Sequence, residues 1–187
     1  VMNGTAEYET TDALEIKSYK PHYKPNKRQL EKIIGLIKKA KRPVIFAGGG
    51  IILSKGGEAL TRFARKAGIP VTASLMGLGA FPATDPLWLG MLGMHGTFRA
   101  NMSIGKCDLL ISMGVRFDDR VTGKVDTFAP NAKIVHIDID PTSIQKNIPV
   151  SLPVVGDCRL ALEYLNQQID KNGLDQMIES RKPWFDQ

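Results

Sequence analysis

The chain has 187 residues, 43% hydrophobic and 24% charged, with 25 Lys+Arg against 19 Asp+Glu, and a formal net charge of +6. That apolar fraction excludes a largely disordered chain, and Cys107 and Cys158, two in a long sequence with no CxxC pair, exclude a disulfide scaffold. A spanning helix is excluded too, because the longest nearly uncharged apolar stretch, residues 43–53, is short and broken by three glycines. The length predicts a single domain. The sparse cysteines, and an acidic, polar opening over residues 1–15 that does not read as a signal peptide, predict a reducing, cytoplasmic setting.

Residues 1–25 show no sustained period, contain Pro21 and Pro25, and read as a linker. Asn26 is a fitting N-cap for a helix through Ala40, with Leu30, Ile33, Ile34, Ile37 and Ala40 stepping by three and four along one face. The charge is concentrated here: residues 17–42 carry ten lysines and arginines against Glu31 alone, whereas residues 1–16 carry four acids and no base. Tyr19 and Tyr23 are the only aromatics in that stripe, so it reads as a solvated helix face rather than a nucleic-acid surface. Residues 43–47 read as a buried strand running into a Gly48-Gly49-Gly50 turn. A helix over 57–67 follows, with Leu60, Phe63, Ala64 and Ala67 inward and Gly68 at C′.

Further strands are predicted at 70–73, 108–113, 133–138 and 153–155, with a weak one near Trp88 inside a glycine- and methionine-rich loop over 74–93. A short helix is expected at 97–104 and a longer one at 158–171, the latter with Leu160, Leu162, Leu165 and Ile169 inward; residues 172–187 are left as a further short helix or a linker. Short apolar strands alternating with helical stretches predict βα units. The expected fold is therefore α/β, a Rossmann-like three-layer α/β/α arrangement with a mostly parallel sheet of about six strands.

In such sheets ligands bind beyond the carboxyl ends of the strands. The residues there are rich in glycine, arginine and aspartate: Gly48 to Gly50, Ser74 to Gly77, Gly114 to Arg120, Asp138 to Asp140, and Gly156-Asp157. Glycines let backbone approach a phosphate, Arg116 and Arg120 suit its charge, and Asp138 suits ribose hydroxyls. The bland reading stays open beside this one. The triple glycine is equally a tight turn, Asp118 and Asp119 are equally solvated charges that Arg120 neutralises, and His95 is equally structural. The dinucleotide fingerprint GxGxxG fails at Leu53, and Ala73-Ser74 stands where the second strand's acid belongs. No triad, P-loop lysine or metal cluster is evident, and Cys107, beside a buried strand, reads as a small core residue.

Three runs carry a more specific signal. Leu92-Gly93-Met94-His95-Gly96, then Gly114-Val115-Arg116-Phe117-Asp118-Asp119-Arg120-Val121-Thr122-Gly123, then Lys133-Ile134-Val135-His136-Ile137-Asp138-Ile139-Asp140 closely resemble the large catalytic subunit of acetolactate synthase (acetohydroxyacid synthase). Ser74-Leu75-Met76-Gly77-Leu78-Gly79 fits the same family. The resemblance covers residues 26–172 and implies the central, FAD-binding domain of a thiamine diphosphate enzyme, a fold shared with the DHS-like NAD/FAD-binding domains. It implies a parent that condenses two pyruvates, or pyruvate and 2-oxobutyrate, with loss of CO2 in branched-chain amino-acid biosynthesis. Thiamine diphosphate and Mg²⁺ would be held outside this chain, by a preceding domain ending before Val1 and a following one beginning after Gln187. Residues 1–25 and 173–187 would then be interdomain linkers, and no catalytic or metal residue is expected within the chain.

Carried over by motif, Gly48, Gly49 and Gly50 would pass the adenosine and pyrophosphate of FAD, and Ser74, Leu75 and Met76 would line it further along. Gly93, Met94, His95 and Gly96 would lie near the flavin end. Gly114, Val115, Arg116 and Asp118 would also touch it, and Asp138, Ile139, Asp157 and Cys158 would surround the adenosine end. Met94, His95, Asp119 and Arg120 would face the substrate channel, Arg120 being suited to an oxo-acid carboxylate. Near Leu14 to Lys17, where some relatives place an FAD-contacting arginine, only lysine is present. The resemblance also implies a homodimeric or homotetrameric parent, a regulatory small subunit as a possible partner, and neither nucleic acid nor membrane. Two other readings stay open: a flavin-free assembly domain of another thiamine diphosphate 2-oxo-acid enzyme, and a sirtuin-like NAD-binding domain.

Overall fold

The computed structural model describes Thr5, residues 21–173 and Trp184. Most of both expected linkers, with Lys17, lies outside the described residues. Within them, six strands form a single all-parallel sheet: β1 (Pro43–Ala47), β2 (Val71–Ala73), β3 (Trp88–Met91), β4 (Leu109–Met113), β5 (Lys133–Asp138) and β6 (Leu152–Val155). Their order is β3-β2-β1-β4-β5-β6. The order reverses at β1, so the β1–β4 boundary is the topological switch point. Proline is tolerated in β6 because that strand is an edge, where Pro153 removes no ladder bond that the sheet needs.

Alternation along the strands divides the core in two. Ile45, Ala47, Ile111, Met113, Val135 and Ile137 face α1 (Lys27–Lys39), α3 (Gly57–Ala67) and α6 (Cys158–Asn172). Val44, Phe46, Leu110 and Ile134 face the other way, toward α4 (Phe98–Lys106) and the loops carrying Phe117 and Phe128. Leu30, Ile33, Ile34 and Ile37 of α1 are buried as their spacing predicts, and Asn26 caps that helix by accepting from the Arg28 N–H at 2.9 Å. Gly68 ends α3 in the left-handed conformation, φ 60°. In α6, Leu162, Leu165 and Ile169 are buried, but Ala161 takes the inward place expected of Leu160, which is half-exposed. Cys107 is fully buried, its thiol donating to the Ile104 carbonyl at 3.2 Å, and burial pushes its pKa up to about 12.

Two short helices were not expected. Residues Gly49–Leu53 form α2, with Gly48 as its N-cap, so the triple glycine is a strand-to-helix junction rather than a free turn. Residues Asp119–Thr122 form α5 within the loop after β4. The 3₁₀ turn Leu75–Gly77 follows β2. The segment near Trp88 is a full edge strand, and Thr97 caps α4 by accepting from the Ala100 N–H at 3.1 Å. Among the described residues no helix is long and apolar enough to cross a membrane.

Candidate functional site: the strand-end crevice

Parallel pairing puts every strand's carboxyl end on the same edge of the sheet. The glycine-, arginine- and aspartate-rich loops singled out from sequence therefore share that edge. At its centre, across the switch point, backbone meets backbone. A Cβ on Gly48 would lie 2.0 Å from the Gly114 carbonyl oxygen, and one on Gly50 would lie 2.6 Å from the Gly114 Cα. The Gly50 N–H donates to the Gly114 carbonyl at 3.1 Å, and Gly114 itself takes φ 61°. These positions need glycine because two strand-end loops cross there. A Cβ on Gly77 would likewise sit 2.3 Å from the Ala47 carbonyl, which draws the turn after β2 against the end of β1.

The loops bring their apolar side chains out to solvent. Leu75, Met76 and Met94 are 68%, 73% and 59% exposed. Those are large values for residues that a closed core would absorb, and exposed apolar groups clustered at a strand-end crevice mark a ligand or partner surface. His95 is exposed as well. The turn around it is fixed: Asn101 accepts from the Gly93 N–H at 3.2 Å and donates to the Gly93 carbonyl at 3.1 Å. The Met94 N–H donates to the Arg120 carbonyl at 2.9 Å, tying the loop after β3 to the loop after β4.

In the loop after β4 the side chains alternate. Val115 and Phe117 are buried, and Arg116 and Asp118 are exposed. Arg116 pairs with Asp118 at 3.0 Å and Arg120 with Asp119 at 3.9 Å, yet the arginine side chains stay 74% and 76% exposed. Such surface pairs are weak, and either arginine is available to an anion. Ser74 is half-buried and its N–H donates to the Ala47 carbonyl at 3.0 Å.

At the β5 and β6 ends, Asp138 is buried, and desolvation, with the Asp140 carboxylate adding to it, holds its pKa above the usual carboxylate range against a hydrogen bond from the Asp140 N–H. Ile139 is half-buried. Asp157 caps α6, accepting from the Leu160 N–H at 3.0 Å. The Cys158 thiol is turned into the core toward the Ile137 carbonyl, and burial raises its pKa. Any ligand contact at Cys158 therefore falls to its main chain, as at Val115.

Sequence reasoning missed the support beneath the β4 loop. His136 is fully buried, and its Nε2 lies 2.8 Å from the Val115 carbonyl. Phe117 has φ 53° and packs edge-on against the His136 ring. Asn147 donates to the Arg116 carbonyl at 2.8 Å. One signal was available, a histidine in an otherwise apolar strand. Among the described residues no group of three or more His, Cys, Asp or Glu is arranged to hold a metal ion.

The family model for the central domain of thiamine pyrophosphate enzymes matches residues 30–165. The chain belongs to that family. Over 177 residues it is 45% identical to the acetolactate synthase large subunit of Haemophilus influenzae, covering 95% of this chain and 31% of that one. Over 180 residues it is 40% identical to the acetolactate synthase isozyme 3 large subunit of Escherichia coli K12, covering 96% and 31%. A solved structure from Mycobacterium smegmatis, described as a thiamin diphosphate-dependent enzyme, superposes with TM-score 0.65 at 26% identity, over 82% of this chain and 30% of that one. This central domain thus spans about 31% of the length of the curated relatives it matches.

Proposed function

We propose that the chain is the FAD-binding central domain of an acetolactate synthase large subunit. The observation that carries this is the close glycine contact between the β1 and β4 ends at the switch point, in strand-end loops that also expose Leu75, Met76, Met94, Arg116 and Arg120. Several groups at the strand ends support FAD as the ligand. The Gly48 and Gly50 N–H groups are taken by the Met113 and Gly114 carbonyls, so a pyrophosphate would rely on the Gly49 N–H and on the charge of the two arginines. The apolar rim suits a flavin ring, and the recessed Asp138 carboxyl suits a ribose hydroxyl. The β4 loop would orient the cofactor through Arg116, and the β3 loop would exclude water through Met94 and His95. Asp119 and Arg120 would face an incoming 2-oxo acid, Arg120 as the partner of its carboxylate.

In the parent, thiamine diphosphate with Mg²⁺ supplies the electron sink for decarboxylating pyruvate and joining it to a second 2-oxo acid, while FAD undergoes no net redox change. Residues 1–25 and 173–187 would be linkers to the flanking domains, with homo-oligomer formation and a regulatory small subunit belonging to the parent, a cytoplasmic enzyme of branched-chain amino-acid biosynthesis.

Titrating the full-length polypeptide with FAD and following flavin fluorescence tests the reading. Saturable binding is expected, weakened at least tenfold by Arg116→Ala. Absence of binding would favour the flavin-free assembly reading. NAD displacing FAD would favour a nicotinamide site.

A further inference from the structure

His136 poses a physical question that the cofactor reading does not answer. It sits in the middle of β5, fully buried, on the sheet face occupied by Phe46, Leu110 and Ile134. Burying a polar ring is unfavourable unless its atoms are hydrogen-bonded. Among the described residues Nδ1 has no hydrogen-bond partner, and neither does the Oγ of Ser112, its neighbour in register on β4. An aliphatic residue would fill the place without that cost. What His136 gains is one hydrogen bond at Nε2, to the Val115 carbonyl at 2.8 Å, with an Asp138 carboxylate oxygen 3.8 Å from the same atom. A carbonyl only accepts, so Nε2 carries the proton.

That bond falls within the loop after β4, where two left-handed residues bracket Val115 and Arg116. Gly114 has φ 61° and Phe117 has φ 53°. Glycine adopts this conformation without penalty, whereas a phenylalanine must be held in it by its surroundings. The Phe117 ring is held by Phe46 at 5.8 Å, Phe128 at 5.9 Å and His136 at 5.0 Å between centroids. His136 therefore grips the loop twice, at the Val115 carbonyl and at the Phe117 ring. Asn147 holds the next carbonyl, that of Arg116. With Val115 and Phe117 fastened inward, Arg116 between them faces solvent.

We propose that His136 is a positioning residue for the cofactor site: its Nε2–H and its ring fix the left-handed turn at Phe117, and so hold Arg116 outward at the strand ends. The part concerning the cofactor site rests on the FAD reading above. The buried polar atom is kept because it ties β5 to the loop after its neighbour, which an apolar side chain cannot do. Burial also lowers the pKa of the ring, with the bond to the Val115 carbonyl opposing it.

The test uses the full-length polypeptide and the variants His136→Phe, which keeps a ring of similar shape without the donor, and His136→Gln, whose amide nitrogen reaches the Nε2 position. Two quantities are read: peptide-resolved hydrogen exchange, and the FAD dissociation constant. His136→Phe should speed exchange over residues 114–123 at least tenfold while leaving β1 and β2 amides unchanged, and should weaken FAD binding by a similar factor. His136→Gln should restore both to within threefold of wild type. Unchanged exchange in His136→Phe overturns the proposal, as does a rise spread evenly over the sheet. Local loosening with unaltered FAD affinity, or a His136→Gln variant no better than His136→Phe, also overturns it. If the wild-type polypeptide binds no FAD, the flavin reading falls, and the exchange measurement alone decides whether His136 positions the loop.

Discussion

Gly35 and Gly48 show how differently two glycines serve one chain. A Cβ on Gly35, inside α1, would meet nothing within 4 Å, whereas one on Gly48 would strike the Gly114 carbonyl oxygen at 2.0 Å. Gly35→Ala should therefore raise stability by about 0.5–1 kcal/mol, through helix propensity and a less free unfolded chain. Gly48→Ala should lower it by about 1–3 kcal/mol or more, because backbone has to move. Urea unfolding midpoints check both signs. His136 gives a residue-scale pH dependence. Desolvation lowers its folded pKa, the bond to the Val115 carbonyl opposing that, so between the folded value and the ordinary one of about 6.5 the unfolded chain binds a proton that the folded chain does not. Its contribution is present above that range and is lost as pH falls through it. Asp138, with its folded pKa raised, has the opposite sign: its contribution is lost as pH rises past the folded value. Unfolding of His136→Gln between pH 7 and 5 should show a flatter loss of stability on acidification than wild type.

At the scale of elements, caps and spacing carry the argument. Asp157 closes the first turn of α6 by accepting from the Leu160 N–H. Asp157→Ala should cost about 1 kcal/mol, seen as a lower melting temperature without change of fold. The long helices were legible because apolar residues at three- and four-residue steps leave few alternatives, as with Leu30, Ile33, Ile34 and Ile37 of α1. α2 and α5, of five and four residues, were not legible, since neither completes enough turns to show a period. The strand-end loops were legible as a candidate site because their glycines and charges are contiguous in sequence. Their supports were not: His136, placed by sheet register, and Asn147, in the loop after β5, reach the β4 loop from 21 and 31 residues away, which no local pattern shows. The Cys158 and Val115 side chains are buried as well, Cys158 as the first residue of α6 and Val115 just after the left-handed Gly114.

At the scale of the molecule, the sheet order makes β1 and β4 the pair through which a bound ligand would couple to global stability. With FAD at a hundred times its dissociation constant, mass action should stabilise the folded chain by about 2.7 kcal/mol. Thermal unfolding of the full-length polypeptide with and without FAD reads this directly; an unmoved transition at saturating FAD would count against binding to the native state. The glycine floor has a further consequence for anyone seeking to change what the crevice accepts. Gly48, Gly50 and Gly114 pack against one another's main chain, so the floor offers no side chain to redesign and tolerates none being added. Ligand preference must therefore be rewritten from the rim, at Leu75, Met76, Met94, Arg116 and Arg120. Variation there can proceed while the junction of β1 and β4 stays as it is, and a lineage exploring new ligands on this scaffold would keep its centre constant while its margins diverge.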